Sequence, residues 1–204
     1  MPRLSEETRL KRREDIAEAA LRCFRRNGVA NTSIADIIEE SGLSAGSIYS
    51  HFTNKAEVVH FTAHTLLGRR AGGLLAAAEA DPAGLAPGAL LRTTVTDALP
   101  RDMGEILIQL WSGGISDPEL ASVVAGALNE ARGMLMRALS TWVAAHSPRG
   151  ASAQERLDRA GRLADVILSC AHGFVLRRAL DPEADIDTIL DDLVATVDAA
   201  AARD

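Results

Sequence analysis

Ser33-Ile-Ala-Asp36-Ile-Ile-Glu-Glu-Ser-Gly42-Leu-Ser44-Ala-Gly-Ser-Ile-Tyr49-Ser-His51-Phe52-Thr-Asn-Lys55 spells two short helices joined by a tight turn. Ser33 precedes the first apolar residue and Asp36 follows three positions later, so a hydroxyl caps a helix start while an acid sits in its positive first turn. Gly42 is the residue type that stops a helix sharply by taking the left-handed conformation. Ser44 is placed to cap a second helix. Ile34, Ile37, Ile38, Leu43, Ile48 and Phe52 are spaced so that both helices bury one side in a common core.

The other side of the second helix is unusual. Its outward residues are expected to be Ala45, Gly46, Ser47, Tyr49, Ser50 and His51, small or neutral hydrogen-bonding groups where a solvated helix carries Glu and Lys. Small residues let a backbone approach a base edge or a phosphate, and hydroxyl, phenol and imidazole groups donate to phosphate oxygens. A helix-turn-helix of this build, over residues 33–52, presents the start of its second helix to the major groove.

Around that core the pattern extends. Ile16, Ala19-Ala20 and Phe24 lie on an earlier helix that ends at Gly28; Thr32-Ser33, Asp36-Ile37, Gly42-Leu-Ser, Gly46-Ser-Ile-Tyr49, His51-Phe52 and Lys55 follow. With these residues the chain resembles the TetR family of transcriptional regulators. The resemblance implies that Thr32 or Ser33, Ser44, Ser47, Tyr49, His51 and Lys55 hold phosphates, with Ala45, Gly46 and Ser50 nearest the bases. The chain departs at Ala45, where many members carry Lys or Arg, and so lacks that cation for base readout. Tyr49 is the single tyrosine of the chain and Lys55 one of two lysines.

Composition agrees with helix throughout. Of 204 residues 47% are apolar and 3% aromatic, and runs of alternating β-branched residues are lacking. The expected class is all-α: an N-terminal three-helix DNA-binding domain over residues 10–60 and a C-terminal helical ligand-binding and dimerisation domain over 61–204. The net charge of -6 is unevenly spread. Residues 1–26 hold eight Arg or Lys against five acids, and residues 181–204 hold eight acids against Arg203 alone. The basic end is expected to face nucleic acid, since counterion release depends on the local face. Cys23 and Cys170 read as small buried hydrophobes of a reducing cytoplasm rather than a disulfide. Membrane-length apolar runs are lacking, as is the apolar core of a signal peptide.

Beyond the module, a helix is expected from Asn54 or Lys55 to about Glu79, broken by Asp81 to Gly88. Others follow from Ala89 to Leu99, from Arg101 to Trp111 with Gly113-Gly114 as its stop, and from a cap at Ser116 to His146. The last two run from a capping box of Ser152 and Glu155 to Leu180, and from Asp185 to near Ala202. The final helix carries Ile186, Ile189, Leu190, Leu193, Val194 and Val197 on one face. The helix before it carries Leu157, Ala160, Gly161, Ala164, Ile167, Ala171 and Phe174. These bands are expected to pair across a homodimer, which requires a near-palindromic double-stranded DNA operator.

The family resemblance also implies a small-molecule cavity. Its expected lining is Thr62, Leu66, Met103, Leu107, Trp111, Met134, His172 and Phe174, suited to an apolar or weakly polar effector. His60 and His64 have the spacing of a metal pair but stand beside no further ligand, and Cys170 and His172 point in different helical directions. Enzyme signatures, cofactor fingerprints and metal motifs are lacking. The expected function is a ligand-responsive repressor, with a helical ligand-binding or scaffold protein that has lost DNA binding as the alternative.

Overall fold

The computed structural model describes residues 6–81 and 83–203, and among them every regular element is helical. The order is α1 (Glu6–Asn27), α2 (Ile34–Ser41), α3 (Ala45–Tyr49), α4 (Lys55–Ala80), α5 (Pro87–Thr93), a π-helical turn (Thr94–Ala98), α6 (Arg101–Ser116), α7 (Pro118–His146), α8 (Ala153–Leu180) and α9 (Ile186–Ala201). Two compact units result. One holds the chain through Leu67 together with Ile106–Ala127, and the other holds Gly68–Glu105 with the residues from Leu128 onward. The sequence-based boundary at residue 60 falls inside α4, which runs through both.

In the first unit α2 packs on α1 and α3 on α2. Ile16, Ala19, Ala20, Cys23, Phe24, Ile37, Ile48, Phe52 and Val58 form its core and are almost wholly buried. Each large side chain among them contributes about 1.5–3 kcal/mol by leaving water. Gly42 has φ 67° and its N–H donates to the Ile38 and Glu39 carbonyls, so α2 stops by the left-handed route that the sequence predicts. The turn after α1 is closed from a distance: Val29 N–H donates to Gln109 Oε1 of α6 at 2.7 Å.

Two glycine readings are corrected here. Gly113 and Gly114 do not end α6, which continues to Ser116. A Cβ on Gly113 would stand 2.6 Å from Leu120 Cδ2, and one on Gly114 3.4 Å from the Ala121 backbone, so these glycines admit the first turns of α7. The cap of α7 is Asp117 rather than Ser116, its Oδ1 accepting from Glu119 N–H at 2.9 Å.

In the second unit α5 packs on α8 and α9, and α8 on α9. Here α5 begins earlier than expected, at Pro87, because proline is favoured in a first turn and Gly88 serves contact rather than breakage. Its N–H donates to Asp198 Oδ1 at 2.7 Å, and a Cβ would lie 2.7 Å from the Val194 oxygen. The expected helix to Leu99 gives way to the π turn after Thr93. Arg178 on α8 braces it, donating to the Val95 and Leu99 oxygens at 3.2 and 2.6 Å.

The expected dimer band is corrected as well. Ala160, Gly161, Ala164, Ile167, Ala171 and Phe174 are buried within a single protomer, as are Leu190 and Val197 of α9. The apolar side chains that α8 leaves exposed are Leu157, Val166, Leu176 and Leu180, the last at 70%. Periodicity located an apolar face correctly but could not say which partner covers it.

Candidate nucleic-acid interface

Both short helices of the module owe their starts to serines. Ser33 Oγ accepts from Asp36 N–H at 3.2 Å, and Asp36 Oδ2 accepts from Ser33 N–H at 2.6 Å, a reciprocal capping box. The same carboxylate oxygen accepts from the Ser33 hydroxyl at 2.7 Å, and the bonds it accepts from the Ser33 N–H and hydroxyl hold the Asp36 carboxyl below its ordinary pKa. Ser44 Oγ accepts from Ser47 N–H at 3.2 Å and starts α3. The helix it opens is only five residues long, ending at Tyr49, with Ser50 as its cap.

Ser44, Ala45, Gly46, Tyr49 and Ser50 are all exposed. Gly46 has open space around it: a Cβ there would meet nothing within 4 Å. Its smallness therefore answers no demand of the protein's own packing. Tyr49 is 57% exposed, far more than an aromatic needed for the core. Ser47 is half-buried, and Ser50 Oγ donates to the Ser47 oxygen at 2.7 Å. The expected edge of neutral, small and hydroxyl-bearing residues is thus present from Ser44 to Ser50.

Three other expected contacts sit differently. Thr32 is buried and its hydroxyl donates to the Gly28 oxygen at 2.8 Å, which commits it to the loop after α1. His51 was expected to face outward but is only 8% exposed, because it lies beyond the end of α3 where the chain turns inward to Phe52. Among the described residues its Nδ1 is buried without a hydrogen-bond partner. Burial, with the nearby Arg9, Arg13 and Arg12 charges, pushes its pKa below the ordinary value. Lys55 is half-buried and its Nζ donates to the Ala30 oxygen at 3.1 Å, while burial lowers its pKa and Asp36 partly opposes that shift.

Around the edge, several basic residues of α1 are paired. Glu40 accepts from Arg22 Nε at 2.7 Å and from Arg26 Nη1 at 3.0 Å. Exposed pairs of this kind add little stability, but they offset the positive charge of the last turn of α1. Arg9 and Lys11 are exposed on its first turns.

The beginning of α4 carries residues that the sequence reading passed over. Asn54 Oδ1 accepts from Glu57 N–H at 2.8 Å, and its Nδ2 donates to Glu119 Oε1 of α7 at 2.7 Å. The Asn54 to Glu57 spacing is itself a start signal. The bond to Glu119 crosses 65 residues and leaves no local trace.

The family model for bacterial regulatory proteins of the tetR family matches residues 16–60, the stretch that holds these helices. Residues 16–60 are thus similar to the DNA-binding region of the tetR family. The HTH-type transcriptional regulator TtgR of Pseudomonas putida is similar to this chain at 39% identity over 113 residues, 52% of this chain and 54% of that protein. The chain thus spans about half the length of the curated relatives it matches first. A TetR-family regulator of Cytophaga hutchinsonii shares the fold with TM-score 0.64 and 20% identity, covering 96% of both chains. A crystal structure from Pseudomonas aeruginosa PAO1 aligns over 98% of this chain and 95% of its own, with TM-score 0.68 and 23% identity.

The expected cavity residues divide between the units. Thr62 and Leu107 are buried in the first, where the Thr62 hydroxyl donates to the Val58 oxygen at 2.7 Å, and Trp111 is half-buried there. Met103 and Phe174 are buried in the second, whereas Met134 and His172 are half-buried. The side chain of Leu66 lies outside the described residues. Burial pushes the His172 and Cys170 pKa values down and up respectively. His60 and His64 stack with ring centroids 6.3 Å apart.

Proposed function

We propose that the protein is a DNA-binding transcriptional regulator, a homodimeric repressor that leaves a palindromic operator when a small-molecule effector binds. The observation that carries this reading is the exposed edge from Ser44 to Ser50, where Gly46 has open space and Tyr49 stands in solvent. Ser33, Ser44, Ser47, Tyr49 and Lys55 are assigned to phosphates, and Ala45, Gly46 and Ser50 to the vicinity of the bases. Lys55 keeps protons beyond the one it gives to Ala30, so one ammonium serves both the loop and a phosphate. His51 and Thr32 act from within, as supports of the edge.

Dimerisation is assigned to the outer side of α8. Val166, Gly173, Leu176 and Leu180 recur at intervals of seven, three and four residues, and α9 adds the half-buried Ile189 and Leu193. A two-fold pair places recognition helices in successive major grooves, roughly 34 Å apart. The effector is assigned to the second unit, among the half-buried Met134 and His172 and the buried Met103 and Phe174. The half-buried side chains suit an apolar or weakly polar molecule. Effector and operator then compete through their preferences for two states, and about a 10⁴-fold preference is needed for a complete switch. Helix α4 is the element assigned to carry that shift, as it runs from the module into the second unit.

The test is operator release. A duplex selected by the protein is held at fixed concentration while candidate apolar effectors are added, with binding of each effector followed separately. Release that tracks effector occupancy supports the switch, and an operator affinity indifferent to every effector that binds removes it.

A further inference from the structure

Arg13 lies on α1, yet its side chain ends against two aromatic rings of later elements. Its Cζ is 4.5 Å from the centroids of both Phe52 and Phe61, and those rings meet edge-on at 5.5 Å. Nη2 donates to Glu57 Oε1 at 3.1 Å. The other oxygen of Glu57 accepts from the N–H and hydroxyl of Thr53 at 2.8 and 3.0 Å. A single guanidinium therefore joins α1 to Phe52, three residues past the end of α3, and to the first turn of α4.

Each ring attracts the cation, and the planar guanidinium lies against both while still donating to Glu57. Among the described residues Nε is buried without a hydrogen-bond partner. The two rings and Glu57 are thus what hold the group in place. Resting on the DNA-binding reading above, we propose that Arg13 is a positioning residue for the recognition helix. It fixes Phe52 and Glu57, and through them the angle at which α3 and the start of α4 meet duplex phosphates, without touching DNA itself.

Tyr49 supplies an independent readout, since it is the single tyrosine of the chain and stands on α3. Full-length protein labelled with 3-fluorotyrosine is compared as wild type, Arg13→Met, Glu57→Gln and the double variant. The expected result is that the Tyr49 fluorine resonance shifts or broadens alike in all three. Dissociation from a duplex selected by the wild type should quicken by about tenfold in each, with no further change in the double variant. The stoichiometric end point should stay as in wild type, whereas a merely structural loss would lower the folded fraction and leave the dissociation rate of the remainder unchanged; the salt slope should also stay, because no phosphate contact is lost.

An unmoved Tyr49 resonance overturns the proposal. So does an Arg13→Met slope lower by about one unit with Glu57→Gln unaffected, since Arg13 would then be a phosphate contact. If the wild type selects no duplex, the DNA-binding reading fails, and the Tyr49 resonance alone still decides whether Arg13 orients α3. Should Arg13→Met fail to fold, Glu57→Gln carries the same comparison.

Discussion

Lys55 Nζ reaches back 25 residues to the Ala30 carbonyl at 3.1 Å, fastening the start of α4 to the loop between α1 and α2. Lys55→Met should therefore do two separable things. Thermal stability should fall by about 1 kcal/mol from loss of a charged hydrogen bond at a part-buried, partly screened position. The slope of log affinity against log salt should fall by about one unit from loss of a phosphate contact. A lowered melting temperature with an unchanged slope would reduce Lys55 to a structural tie.

Gly46→Ala should move stability and affinity in opposite directions. The added Cβ meets nothing in the protein, and alanine is the better helix former by up to about 1 kcal/mol. The variant should melt slightly higher yet bind selected duplex more weakly, because under the proposed function the methyl group would occupy the space assigned to the base edges. Equal affinity with raised stability would show that α3 does not approach DNA so closely.

Tyr49→Phe leaves packing untouched at a position 57% exposed. Its loss should weaken binding by about 1 kcal/mol, the worth of one hydrogen bond, equally across duplex sequences and with the salt slope unchanged. Competition between several duplexes checks this, and altered sequence preference would reassign the phenol to a base.

His51 gives a pH dependence with a definite sign. Burial holds its folded-state pKa below the ordinary 6.5, so the unfolded chain takes up the proton first as pH falls. Stability should be fully present above about 6.5, decline as pH drops from there towards the folded-state pKa, and show no further loss from this group below it. His51→Asn should flatten that decline. His172 is also lowered by burial and contributes the same sign, so the difference between wild type and His51→Asn isolates the first. Denaturant midpoints between pH 7.5 and 5, both about one unit or more from the ordinary His value, measure it.

Local signals were legible from sequence and distant ones were not. Ser33 with Asp36, Gly42, Ser44, and Ser152 with Glu155 announce helix ends because cap and helix are neighbours in the chain, and each stands where expected. Gly88 and Gly113 misled because a glycine that breaks a helix and one that admits a neighbour look alike until the neighbour is known. His51 misled because α3 ends two residues before it, so helical periodicity no longer assigned its side. On α8 the small-residue band was real, but its partners were helices of the same protomer. Arg13 gave no sign at all, since its partners stand 39 to 48 residues away.

That outer α8 surface makes a further prediction. Leu180→Glu places a charge on a side chain 70% exposed in the protomer. Helix content should remain that of wild type, while sedimentation shifts from dimer to monomer and operator affinity falls by at least tenfold through lost bivalency. Ile167→Ala, by contrast, empties a fully buried site and should cost about 2–5 kcal/mol of stability. A Leu180→Glu protein that remains dimeric would move the interface elsewhere.

The most direct test of the account is selection of duplex from a randomised pool by the purified full-length chain, followed by footprinting of the enriched site. The account predicts a two-fold symmetric site whose half-sites are separated by about one turn of DNA, or a multiple of it, protected on both strands and lost on Tyr49→Phe with Lys55→Met. Failure to enrich any duplex at low salt, or protection of a single half-site by a protein that remains monomeric, would contradict it.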